Sequence, residues 1–215
     1  MTRSNKANEL IAQLSGELIK LGDIKKLAKQ VKKNHKLALE LWSTKLHHPR
    51  LLATLIFDKT LLTQSTIDQL AMDLIDTPKV QRNQIADWLL ANQFMKDKKI
   101  ISLMLEWKNS QSAILERLYW YYQARLRWAG QTPPNDSAQL LDVIEMKIEN
   151  AEPGVQWTMN FCAAQIGVNE PELRARCVTL GEKLGLYKDE HVSKNCTPSY
   201  LPEFIRIEVA KRELK

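Results

Sequence analysis

Two adjacent histidines, His47 and His48 in "LWSTKLHHPRLLATLIFD", are the first residues of this sequence whose type invites chemistry. A zinc-binding helix needs its histidines on one face, at i and i+4, whereas neighbouring helix positions point about 100° apart. His35 and His191 lie far off, and no carboxylate cluster flanks the pair. Cys162, Cys177 and Cys196 are odd in number and lack the close paired spacing of a zinc site, so reduced thiols are expected. The sequence contains no Gly-rich phosphate loop, nucleophile elbow or paired-carboxylate signature. It therefore reads as a protein without a metal site and without a cofactor.

Cations and aromatic rings are better represented. Lys plus Arg total 31 against 25 acids, a net charge of +6 that suits a polyanionic partner without demanding one. Between Lys20 and Lys36 stand seven lysines and one acid, Asp23. Such a run is ordinarily a solvated face, but Lys25, Lys26, Lys29, Lys32 and Lys33 also form a candidate rail for a phosphate backbone. Arg82 joins them as a candidate contact. In "RLYWYYQARLRW" the four aromatics from Tyr119 to Tyr122 cover every side of a helix, with Arg117, Arg125 and Arg127 interleaved. Four rings in a row cannot all face one core, so one or two are expected at a surface where base stacking is possible, with Arg125 and Arg127 beside them.

Helices must position these groups. Glycines and prolines are few, seven and eight in 215 residues, while Leu, Ala, Lys, Glu and Gln abound. Apolar residues recur at helical spacing almost throughout, giving about a dozen helices with short breaks. The first is expected from Asn5 to Ile19, the second capped by Asp23, and the third capped by Asn34. Pro49 is expected as the first residue of the fourth, Thr63 or Ser65 opens the fifth, and Pro78 opens the sixth. "DKKIISLMLEWK" and the long "SQSAILERLYWYYQARLRWAG" follow. After the loop-like "QTPPND", in which Asp136 can cap, comes "SAQLLDVIEMKIENA". Next are a helix from Pro153 to Gly167, one capped by Asn169 and stopped by Gly185, and a last one within "PSYLPEFIRIEVAKRELK". Successive helix pairs, each too short to bury its own apolar face, predict an all-α solenoid of stacked pairs, one domain over residues 1–215 with a longer turn near 131–136. The N-terminus lacks a cleavable leader pattern, and no stretch approaches the roughly 20 apolar residues of a membrane span. A soluble, cytoplasmic, monomeric protein is expected.

The quoted histidine stretch also carries a resemblance. "LALELWSTKLHHPRLLATLIFD" resembles a signature of the DNA alkylation repair family of HEAT-like proteins: a leucine-tryptophan pair (Leu41, Trp42), a turn histidine (His47), then Arg-x-Leu-Ala (Arg50, Leu52, Ala53), with His48 replacing the usual glutamate. "VQWTMNFCAAQIG" and "NCTPSYLPEFI" are similar to one branch of that family, and the resemblance spans roughly residues 20 to 207. It implies an α-α superhelix of the HEAT or armadillo type whose concave face cradles duplex DNA. It further implies hydrolysis of the glycosidic bond of N3- or N7-alkylated purines, already cationic leaving groups. A carboxylate and tryptophan faces would stabilise the sugar cation while an arginine holds the backbone.

Active members carry Ser-Trp-Asp-x-x-Asp. Here "MDLIDTPKVQRNQIADW" has no tryptophan before its acids, although Asp73 and Asp76 keep the spacing. A second register sets Thr77, Pro78 and Gln81 there and leaves no carboxylate. By this resemblance the catalytic candidates are Asp76, Arg117 and Trp157, with Phe161 as the alternative ring. The competing reading is a non-catalytic HEAT-like scaffold for a structured nucleic acid or a protein.

Overall fold

The computed structural model describes residues 3–16, 18–128 and 133–213, with residue 213 described by its backbone alone. Among these residues there are twelve α-helices and no strand. The chain forms two compact units, residues 1–107 and 108–215.

Unit 1 is built from helix pairs. α1 (Asn5–Gln13) is capped by the Ser4 side chain and ends at Gln13, six residues short of the expected Ile19. α2 (Leu21–Val31) begins before Asp23, so Asp23 sits in the first turn and accepts from the Lys20 N–H at 3.1 Å instead of capping from outside. α3 (His35–Trp42) starts on Asn34, whose side chain accepts from the Leu37 N–H. α4 (His47–Ile56) takes both histidines into its first turn and makes Pro49 its third residue, two positions further in than expected. Proline is tolerated there because the first turn's N–H groups have no helical acceptor. The Asn34 N–H donates to the Ile56 carbonyl at 2.8 Å, tying the start of α3 to the end of α4 and making the pair antiparallel.

α5 (Gln64–Met72) is capped by Thr63. α6 (Lys79–Asn92) follows Pro78, which stands just before the helix, and α7 (Lys98–Leu105) is capped by Asp97. Leu41, Trp42, Leu51, Leu52, Ile56, Ile85 and Leu90 form the core. Each such side chain contributes about 1.5–3 kcal/mol by leaving water.

Unit 2 is organised on one central helix. α8 (Ala113–Trp128), α9 (Ser137–Lys147), α11 (Pro171–Leu184) and α12 (Leu201–Glu213) all pack against α10 (Pro153–Asn169). α10 starts at Pro153 as expected but runs through Gly167 to Asn169. Asn169 is thus its last residue, and Glu170 takes the capping position of α11, which Gly185 stops at φ 62°. Gly167 serves packing. A Cβ there would come 2.5 Å from Ile205 Cδ1 and 3.0 Å from Cys177 Cβ. Gly181 does the same on α11, where a Cβ would lie 2.6 Å from Pro202 Cδ and 2.7 Å from Leu201 Cβ. The two glycines let α12 close onto α10 and α11. Part of the turn expected near residues 131–136 lies outside the described residues. Asp136 precedes α9 without capping its amides.

Candidate nucleic-acid interface

In unit 1 the lysines of α2 stand in solvent. Lys25, Lys26 and Lys29 are exposed on the helix, and Lys32 and Lys33 are exposed just past its end. Helical geometry sets Lys25 and Lys29 about 40° apart around the axis, and Lys32 follows as the residue that ends the helix. Asp23, the acid of this stretch, is engaged at the helix start. Lys25 Nζ lies 5.7 Å over the Trp88 ring of α6, and Lys33 pairs with Asp58 at 3.0 Å. That pairing and the Thr60 hydroxyl hold the Asp58 carboxyl down to about 2, with the hydroxyl the larger influence.

The turn between α5 and α6, which carries the two candidate acids, is pinned from within. Arg50 is buried under the Trp42 ring, its Cζ 5.1 Å from the ring centroid. Its Nε donates to the Trp42 carbonyl at 3.1 Å and its Nη1 to Thr77 Oγ1 at 2.9 Å. Burial lowers the guanidinium's affinity for its proton, and nearby Asp73 partly restores it. Trp42 Nε1 donates to Asp73 Oδ2 at 3.0 Å and Gln69 Nε2 to Asp73 Oδ1 at 2.9 Å. Arg82 Nη1 donates to the Ile75 carbonyl at 3.3 Å.

Asp73 is therefore a structural acceptor, while Asp76 is exposed. Met72, immediately before Asp73, is 56% exposed. The signature residues Trp42 and Arg50 thus hold the turn that displays Asp76.

The histidine pair divides its contacts. His47 Nε2 shares a hydrogen bond with Gln84 Oε1 of α6 at 2.8 Å, while His48 Nδ1 meets the Leu14 carbonyl at 3.3 Å. Burial lowers the His47 pKa, more than the Gln84 contact raises it. Among the described residues no group of three or more His, Cys, Asp or Glu side chains is placed to hold a metal ion.

In unit 2, Tyr119, Trp120 and Tyr122 are buried, and Tyr121 is the ring of the four that reaches the surface. It joins a half-exposed aromatic ledge. Trp157 and Phe161, one turn apart on α10, stack at 5.4 Å and 14°, and Tyr121 tilts against them at 6.3 and 5.8 Å. Phe161 meets Trp128 and Phe204 edge-on at 6.0 and 5.9 Å. Arg125 Cζ lies 5.8 Å over Tyr121 and 5.5 Å over Trp128.

Arg117 is buried, 5% exposed, with its Cζ 5.6 Å over Tyr121. Arg127 is removed from the candidate DNA contacts, because its side chain is 0% exposed. It donates to Ser137 Oγ at 2.7 Å, Asp136 Oδ1 at 2.8 Å, the Gln123 carbonyl at 3.0 Å and Glu170 Oε1 at 3.2 Å. Arg125 and Arg127, two residues apart, point to opposite sides of α8, but spacing alone does not tell which side the rest of the unit covers.

Asp76 belongs to unit 1, and Arg117 and Trp157 belong to unit 2. Sequence reasoning passed over Trp128 and Phe204. The available signal for Trp128, 50% exposed, was its place at the end of the Arg-interleaved aromatic run that begins at Tyr119.

A family described as "DNA alkylation repair enzyme" matches residues 19–184. One solved structure, described as "a new family of proteins related to the HEAT-like repeat DNA glycosylases with affinity for branched DNA structures", is similar at a TM-score of 0.68 and 15% identity. The match covers 98% of this chain and 89% of that one, and it establishes the all-helical HEAT-like fold. No curated protein matches the sequence significantly.

Proposed function

We propose, for a chain that belongs to the DNA alkylation repair enzyme family, that it binds duplex DNA through its phosphate backbone. The observation that carries this is the α2 face. Lys25, Lys26 and Lys29 are exposed together, Lys32 extends the row, and the nearest acid in sequence is bound to the helix's own start. Each phosphate that such a lysine neutralises releases a counterion, so affinity depends on lysine number and salt and is indifferent to sequence. Arg125, half-exposed on the ledge of unit 2, is a further contact.

The test is a salt titration of duplex affinity. Reversing Lys25, Lys29 and Lys32 to glutamate weakens binding equally on unrelated sequences and lowers the log–log salt slope by about 3. A triple variant with an unchanged slope retires the lysine face. The proposal includes a cytoplasmic protein acting as a monomer, which light scattering of the DNA-free chain tests.

A second reading, excision of cationic N3- or N7-alkylpurines, is favoured by the division of labour between the two acids. Asp73 is held by Trp42 and Gln69, and Asp76 is left exposed as an electrostatic partner for a sugar cation. The C1′–N bond breaks with its electron pair neutralising the purine, and water adds to C1′ and releases a proton. Base release from methylated DNA above the spontaneous rate, reduced about 100-fold or more by Asp76→Asn, supports it. Release at the spontaneous rate leaves a binding protein.

A further inference from the structure

We propose that the concavity beside Trp128 in unit 2 is a stacking site for one unpaired DNA base. This deepens the DNA-binding reading and rests on it. The concavity, about 200 Å³, lies where the last turn of α8, the middle of α10 and α12 meet. It is smaller than the roughly 300–1,000 Å³ of cofactor pockets, so it takes a single flat group. Trp128 and Phe204 both line it, each set edge-on to Phe161, which lies between them at about 6 Å from either ring.

Two occupants fit an aromatic lining, a cation or a base, and charge chooses between them. The carboxylate on the wall, Glu208, already accepts from Thr197 Oγ1 and Lys211 Nζ, each at 2.7 Å. Arg212 forms part of the lining and donates to Asn169 Oδ1, and Asn169 Nδ2 donates to the Gln165 carbonyl at 2.7 Å. Lys211 and Arg212 thus set two cations against one acid that is already paired. A cationic ligand is repelled, whereas a base that carries its own phosphates is drawn in. The Gln165 amide, also on the wall, is 4% exposed and its Oε1 is met by Asn169 Nδ2 at 3.5 Å, so its Nε2 is the group left to donate to the base edge.

The site discriminates DNA with an unpaired nucleotide from continuous duplex. The experiment compares a blunt duplex with the same duplex interrupted by a short gap containing 2-aminopurine, read by anisotropy and by 2-aminopurine emission. The gapped DNA binds about tenfold tighter and its emission is quenched on binding. Trp128→Ala removes the quench and costs about 5- to 150-fold on gapped DNA, the range of base–aromatic stacking. The loss on gapped DNA exceeds any loss on blunt duplex, and Trp128→Phe retains most of the quench. Gapped and blunt DNA bound equally, or a quench that survives Trp128→Ala, overturns the stacking site while leaving duplex binding standing. Failure to bind either DNA overturns both.

Discussion

Replacing Arg127 with alanine separates a structural arginine from a DNA-binding one. The side chain lies wholly inside unit 2 and joins Gln123 of α8, Asp136 and Ser137 at the start of α9, and Glu170 at the start of α11. Removing one member of a buried ion pair costs about 3–5 kcal/mol, because the partner charges stay behind. Here the partners are partly open to water, Asp136 at 39% and Glu170 at 21% side-chain exposure, so they regain some solvation. The lower end, about 3 kcal/mol, is expected. With a urea dependence of about 2 kcal/mol per molar, that moves the unfolding midpoint down by about 1.5 M. Arg125→Ala, which removes a half-exposed cation from two ring faces, costs less than about 1 kcal/mol. Under native conditions the salt slope of DNA binding is unchanged in Arg127→Ala and reduced in Arg125→Ala. If Arg127→Ala unfolds within about 1 kcal/mol of the parent while lowering the salt slope, the arginine reads phosphate and the buried network is secondary.

Gly181→Ala places a methyl against the Pro202 ring and the Leu201 Cβ, neither able to swing away, and should cost about 1–3 kcal/mol by denaturant unfolding. Burial lowers the pKa of His35 and of His47 below 6.5, so the unfolded chain takes up protons that the fold resists. Stability from this source is full above about pH 6.5 and falls as pH drops toward the folded values, and the double variant His35→Phe, His47→Gln flattens thermal stability between pH 7.5 and 5.5. Burial pushes the thiols of Cys162 and Cys177 up to about 12, whereas Cys196 is exposed. Ellman's reagent should therefore label one thiol promptly and the other two only on unfolding.

What could be read from the sequence was local. Asn34, Thr63 and Gly185 terminate helices as expected because a cap is decided within a few residues of itself. Proline and glycine misled where their local preferences served something else. Pro49 is tolerated inside a first turn, and Gly167 exists for Ile205, 38 positions away. Asp136 looked like a cap, but a buried guanidinium from the preceding helix claimed its carboxylate. The signature around Trp42 and Arg50 was legible as a family mark, yet its work is to brace Asp73 and Thr77. Periodicity cannot show this, because both partners lie about thirty residues away.

α10 is surrounded by every other helix of unit 2, and most of its residues are buried. Its amides can exchange with deuterium only when the whole unit opens, which makes it the slowest-exchanging segment there. Trp157 and Phe161 emerge from the remaining strip of that same helix. The rings offered to a ligand are therefore preorganised on the most rigid backbone available, and little conformational entropy is left to lose on binding. Contact with DNA should register in α12 and the end of α8 as slower exchange, and hardly at all in the helix that carries the stacked rings.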